Sequence, residues 1–269
     1  PNQQILPAVD WAFNTLGKRR FFLVGSDYVF PRAANQIILD RLRELGAEVV
    51  GEDYLPLGST EVGPVVDRIA EAKPDIILNT LNGDSNLPFF RGLRKAGVTP
   101  AACPTLSFSI GEAEIRHLAA GDVTGDYAAW TYFQSVDTPE NEAFVERFQE
   151  KYPQRSVTDP MESAYSGIKL WAKAVKDAQS LEPRKIRKAM LEQRRDSPGG
   201  PLRIDVDTQH AYKTPRIGQI DEDERFRLVW QAEQPVVPEP YPASRTAAQW
   251  RAMLHDLYTQ WGNRWSAPQ

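Results

Sequence analysis

The stretch RFFLVGSDYVFPRAANQI, Arg20 to Ile37, decides the fold class. Its first seven residues form a short apolar run, the pattern of a strand buried on both faces. A helical pattern, RAANQIILDRLRELG, follows at once. There Ala34, Ile38, Leu42 and Leu45 fall on one face at helical spacing, and Gly46 fits the C-terminal stop. The loop between them, GSDYVFP, sits where a wound α/β protein meets its ligand. It has to be read as a catalytic elbow, a phosphate cradle or a binding lip.

Working outward, the alternation repeats. AEVVGEDYLPLG reads as strand then loop. Ser59 or Thr60 is placed to cap EVGPVVDRIAEAKP, whose Val62, Val65, Val66 and Ile69 make an inner face. DIILNTLNGDSN is a third strand with its exit loop, LPFFRGLRKAG a third helix, and CPTLSFSIG a fourth strand. Strands interleaved with helices imply a parallel sheet wrapped on both faces. Beyond it, GDYAAWTYFQS reads as a longer aromatic strand. Thr138 and Pro139 open one helix, and DPMESAYSGIKLWAKAVKDAQ and EPRKIRKAMLEQ form two more. The segment after Pro198 reads as strands joined by turns, and AEQPVVPEPYPAS as an extended strap. A last helix carries Thr246 and Gln249 as a capping box and ends at Gly262.

The 269 residues are 41% hydrophobic and 25% charged, ordinary globular usage for one large domain or two small ones. A formal charge of -4 without a basic stripe argues against nucleic-acid binding. No apolar stretch reaches the roughly 18 residues of a membrane-crossing helix. PNQQILPAVDWAF lacks the regions of a signal peptide and runs straight into a helical pattern, so a processed or truncated N-terminus is expected. One cysteine, Cys103, and the separated His117, His210 and His255 give no ligand spacing. No metal or cofactor is expected, and cysteine usage leaves the redox compartment open.

Three strand ends can carry chemistry: Gly25 to Phe30, Asn79 to Asn86, and Ser107 to Gly111. They hold Ser, Asp, Tyr, Asn and Phe and no lysine. A single glycine in GSDYVFP excludes a dinucleotide or P-loop fingerprint. The enzymatic alternative lies at NGDSN, where Ser85 follows Gly-Asp as in the Gly-Asp-Ser-Leu hydrolases, with Asp207 and His210 of DTQH as its partners. That family sets its serine block on the first strand, whereas here Asn86 replaces its leucine and no Gly-x-Asn-Asp stretch follows. Tyr28 reads equally as a ligand contact or as packing. Asp27 stabilises the turn or caps the helix. EPRKIRKAMLEQRRD reads as a solvated face, and Trp250, Trp261 and Trp265 as anchors of the tail.

Together, FFLVGSDYVFPRAAN, YLPLGSTEVGPVVDRI, NTLNGDSN, YFQSVDTPEN, DPMESAY and PRIGQI resemble the urea and short-chain amide branch of the type I periplasmic binding proteins, from Pro1 to about Tyr241. The resemblance implies two Rossmann-like lobes closing on a ligand. Residues 1–133 then match the first part of lobe two, 134–196 returning lobe-one helices, and 197–235 the last part of lobe two. Residues 236–269 add the proline-rich strap and C-terminal helix. The first half of lobe one has no counterpart, so the helices around Trp171 would expose an apolar face unless another chain covers it. Tyr28 and Phe30 match aromatics that wall the family's pocket. Asp84 and Ser109 match cleft-lining positions, with Asn82 and Ser107 beside them. The implied function is non-enzymatic: extracytoplasmic or periplasmic sensing or transport of urea or a small amide by cleft closure. The implied partner is an ABC permease or a fused, membrane-tethered signalling module. A cytoplasmic regulator is the lesser alternative within the family. An interaction-only role, with pairing into a homodimer, is the alternative outside it.

Overall fold

In the computed structural model, which describes residues 2–268, the predicted alternation builds one seven-stranded sheet. Helix α1 (Ile5–Asn14) leads into β1 (Arg20–Ser26), α2 (Val29–Leu45), β2 (Glu48–Leu55), α3 (Gly63–Ala72), β3 (Ile76–Thr80), α4 (Asn86–Lys95) and β4 (Thr105–Ser107). Two short helices, α5 (Glu112–Ile115) and α6 (Ala120–Val123), precede β5 (Tyr127–Trp130). After α7 (Pro139–Lys151), α8 (Asp159–Ala178), α9 (Pro183–Leu191) and the hairpin β6 (Arg194–Ser197)/β7 (Gly200–Arg203), the chain returns as β8 (Arg216–Ile220) and β9 (Phe226–Gln231). Helix α10 (Ala247–Gln260) closes the series. The sheet order is β2-β1-β3-β4-β5-β8-β9. Its first five strands are parallel, and β8 and β9 join antiparallel.

Period-two side-chain alternation splits each apolar run between two cores. Phe22 and Val24 of β1 point with Ile77 into a cluster closed by Val65, Val66 and Ile69 of α3 and Phe89, Phe90 and Leu93 of α4. Phe21 and Leu23 point the other way, with Ile76 and Leu78, against α1, α2 and Trp250 of α10. The sheet is therefore an α/β layer covered on both faces, as the residue pattern predicts.

Three local expectations need correction. Neither Ser59 nor Thr60 caps α3; the helix starts at Gly63 with Pro64 in its first turn and Val62 as an uncapped N-cap. Proline needs no hydrogen-bond acceptor there, and the Ser59 hydroxyl accepts from the Glu61 amide instead, at 3.2 Å. The aromatic strand is four residues long rather than eleven. Beyond Trp130, side chains take over the ladder's partners. Asp159 accepts from the Thr131 amide at 3.1 Å, and the Asn141 amide donates to the carbonyls of Gln134 and Val136. Helix α2 starts a turn earlier than RAANQ suggests.

The tail behaves as read. Thr246 and Gln249 form a reciprocal capping box, and Trp250 and Trp261 are buried. Trp265 is half exposed and stacks on Tyr258 with ring centroids 4.6 Å apart.

Helices α7 and α8 meet the main body through a small cluster of Tyr132, Val136, Phe144 and Val157. Buried charges surround that crossing. Lys213 pairs with the fully buried Glu162 at 2.9 Å, and Arg216 donates to the carbonyls of Thr131 and Gly199. Burial works to raise the Glu162 carboxyl, but Lys213 and Ser166 hold it below the usual range. The outer side of α8 is bare: Ile168 is 66% and Trp171 50% exposed.

Glu112 at the start of α5 accepts from the Gln134 amide at 2.6 Å and is 7% exposed. Burial pushes its carboxyl up to about 7. An unfolded glutamate titrates near about 4.3, so the folded state holds this proton through the window between the two values. Stability from this group is greatest below the window and falls as pH rises through it. The Glu112→Gln variant should therefore match the wild type in thermal unfolding at pH 4, below the window, and exceed it at pH 8. Equal curves at both pH values would contradict the assignment.

Candidate functional site

The parallel order β1-β3-β4 sets three loops side by side at the carboxyl edge of the sheet. They carry Asp27 and Tyr28, Leu81 to Ser85, and Phe108 to Gly111. Beneath them lies a buried polar network. The Asn79 side-chain amide donates to Ser107 Oγ and Asn86 Oδ1, both at 3.1 Å, and its Oδ1 accepts from the Leu81 amide at 2.8 Å. Asn86 Nδ2 in turn donates to the carbonyls of Leu81 and Gly83. Thr80 Oγ1 donates to the Val24 carbonyl at 3.1 Å. Buried polar groups must find such partners, and here the partners are the backbone of the loops themselves.

Above the network the loops are stitched to one another. The Asn82 amide donates to Ser26 Oγ at 3.0 Å, joining the first loop to the second. Ser109 Oγ donates to the Leu81 carbonyl, joining the second to the third. Gly25 permits the close approach: a Cβ there would lie 2.5 Å from Thr80 Oγ1 and 2.8 Å from the Pro31 Cβ.

Tyr28 stands at the N-cap of α2 in an extended conformation and makes no capping bond with its side chain. The first helical amide, that of Val29, is instead taken by the Trp265 carbonyl at 2.9 Å, while the Ala267 amide donates to the Asp27 carbonyl at 3.0 Å. The tail is thus bonded to the lip on either side of Tyr28. The phenol is half-buried, and burial raises its pKa, so it stays a neutral hydroxyl. Its ring lies 6.3 Å from that of Phe30 at 42°.

The proposed lip residues thus separate into two tiers. Tyr28, Phe30, Asn82 and Ser109 are half-buried and Asp84 is exposed. Phe30 also packs on the α1/α2 core. Ser107 is 1% exposed and serves as an acceptor inside the network, beneath the edge. The exposure of Asp84 leaves its carboxylate solvated, without the cost of a lone buried charge. Asp27 accepts from Arg32 Nε at 2.8 Å, and the Arg32 guanidinium lies 3.6 Å over the Tyr54 ring.

The Ser85 and His210 pair of the hydrolase reading is not assembled. Ser85 is fully buried with no partner for its hydroxyl among the described residues, and His210 Nδ1 lies 2.8 Å from the Thr208 carbonyl in an exposed turn. Sequence reasoning placed Asn79 and Asn86 at a strand end able to carry chemistry, but not as the hub of a buried network beneath it. It also missed the tail's place at the lip, which no local pattern encodes.

Comparison with known proteins follows the same lines. A family described as periplasmic binding protein domain matches residues 1–247. A solute binding protein of an ABC transporter from Rhodopseudomonas palustris HaA2, solved with p-hydroxybenzoic acid, superposes with a TM-score of 0.79 at 23% identity, over 90% of this chain and 67% of that one. A leucine binding protein from Thermotoga maritima MSB8 gives 0.73 at 18%, over 85% and 64%. At these identities the likeness is one of fold, that of the type I periplasmic binding proteins. The Leu/Ile/Val-binding protein homolog 6 of Brucella melitensis biotype 1 is 25% identical over 212 residues, 76% of this chain and 53% of that protein. Limonene hydroxylase of Geobacillus stearothermophilus is 35% identical over 117 residues, 43% of this chain and 21% of that protein. The chain therefore spans about half and about a fifth of the lengths of these two relatives.

Removing the hub of the network should loosen the whole edge. Asn79→Ala strands the Leu81 amide and two side chains, and should cost about 2–3 kcal/mol in urea unfolding. Ser109→Ala, at the half-open rim, should cost no more than about 1 kcal/mol. Equal costs for the two would show that the network does not hold the loops.

Proposed function

The chain belongs to the periplasmic binding protein domain family, and on that premise we propose that its lip is half of a cleft for a small neutral ligand, urea or a short-chain amide. The observation that carries this reading is the charge balance of the edge. Gly25 to Phe30, Asn79 to Asn86 and Ser107 to Gly111 contain no lysine, arginine or histidine. The nearby cation, Arg32, is already held by Asp27 and the Tyr54 ring. A carboxylate ligand, such as the p-hydroxybenzoic acid of the superposed solute binding protein, would need a positive partner. Urea and acetamide need only a flat apolar wall and a few polar edges. Tyr28 and Phe30 offer the wall; Asn82, Asp84 and Ser109 offer the edges. Polar groups left unpaired on closure cost about 1–3 kcal/mol each, which rejects ligands lacking the matching atoms.

The family supports an extracytoplasmic site of action and an ABC permease as partner. Residues 134–196 serve as part of a first lobe, and the bare side of α8 is a face on which the rest of such a lobe would pack. Closure of the two lobes over the ligand shifts an open–closed equilibrium, and the closed form is what the partner reads. A sensor role is the second reading, favoured by one observation: the tail is bonded to the lip beside Tyr28. The likeness to the hydroxylase covers too small a share of that protein to carry an activity across.

Calorimetric titration of the full-length protein tests the reading. Urea, acetamide or formamide should bind, benzoate and leucine should not, and Tyr28→Ala should weaken binding at least about tenfold, the loss of roughly one good contact. Flat amide titrations at millimolar ligand, or tight benzoate binding, would sink it.

A further inference from the structure

The β6/β7 hairpin places two like charges face to face. Arg194 and Arg203 are direct cross-strand partners, so both side chains project from the same face, with Cβ atoms about 5 Å apart. Like charges in that register destabilise a hairpin unless something lies between them. Neither arginine meets a carboxylate among the described residues. Both line a groove of about 580 Å³ together with Arg195, Leu202 and Pro235. Its one carboxylate is Asp196. In a chain of net charge -4, three guanidiniums around one carboxylate is a local positive excess.

Two further details suit a ligand. The Arg203 guanidinium lies over the Tyr212 ring, 3.7 Å from its centroid. That stacking fixes the plane and leaves the N–H edge free to donate. Arg194 and Arg203 also line an adjoining cavity of about 200 Å³ with Gln193, which is 4% exposed, and with a second carboxylate, Asp205, whose oxygens accept from Thr208 and Tyr212. The Gln193 Nε2 donates to Asp177 Oδ2 and the Ala189 carbonyl, both at 2.9 Å, which fixes the orientation of the amide. Its Oε1 is closed to solvent and meets no donor among the described residues.

We propose that the hairpin is a second binding site, separate from the lip, for a phosphate group held between Arg194 and Arg203. Hydrogen phosphate and its monoesters supply what this place lacks: their oxygens accept from the paired guanidiniums. The apolar part of the groove, Leu202 and Pro235, leaves room for such a body. The stretch EPRKIRKAMLEQRRD, which includes Arg194, reads from sequence as a solvated face; the cross-strand register pairs that charge with Arg203, which lies beyond the stretch.

Thermal unfolding of the full-length protein in inorganic phosphate, and separately in glycerol phosphate, against sodium chloride of equal ionic strength, tests the site. Wild type should gain several degrees at saturating phosphate, and Arg194→Gln and Arg203→Gln should lose that gain. Without phosphate, Arg194→Gln should unfold no earlier than wild type, because a repulsion has been removed. A larger gain with the ester identifies an organic phosphate, and an equal gain identifies the free ion; either supports the site. No gain over chloride, or the same gain in both variants, means an adventitious ion only and overturns it.

Discussion

The constraint on which the site depends is that three parallel strands must end level with one another. Asn79 enforces it. One side chain, fully buried, donates sideways to Ser107 on β4 and forward to Asn86 at the start of α4, and accepts from the Leu81 amide above. The low-dielectric surroundings strengthen each bond and make every missing one costly. Asn82 and Ser109 then tie the loops across the edge. The rim presents aromatic and uncharged polar groups because the layer beneath has fixed its backbone.

The same edge explains the tail. Helix α2 begins on Tyr28, whose side chain cannot cap it, and a helix start needs acceptors for its first amides. The Trp265 carbonyl provides one from far along the sequence. Tyr28 is thus positioned by α2, by the loop after β1 and by the C-terminal segment together. The anchors of that segment, Trp250 and Trp261, are buried against the main body, so the tail holds the lip from a rigid base.

Much of this was legible in the residues. Apolar runs such as RFFLVGS and DIILNT mark central strands because both faces of a parallel sheet are covered. The capping box at Thr246 and Gln249 is legible because its bonds are local. What escaped were the features made by distant partners. The strand GDYAAWTYFQS stops early because Asp159 and Asn141 take its bonds. Ser107 turns out to brace the edge rather than line it, since its partner Asn79 lies 28 residues away. Periodicity reports which face a residue prefers, and says nothing about which remote group will claim its hydrogen bonds.

The most direct test of the account is amide hydrogen exchange of the full-length protein with and without saturating acetamide. Slowing of exchange confined to the three loops after β1, β3 and β4, together with residues 265–267 of the tail, is the predicted result. Slowing confined to any other surface, or an unchanged map under conditions where binding is otherwise detected, would contradict the placement of the ligand at this edge.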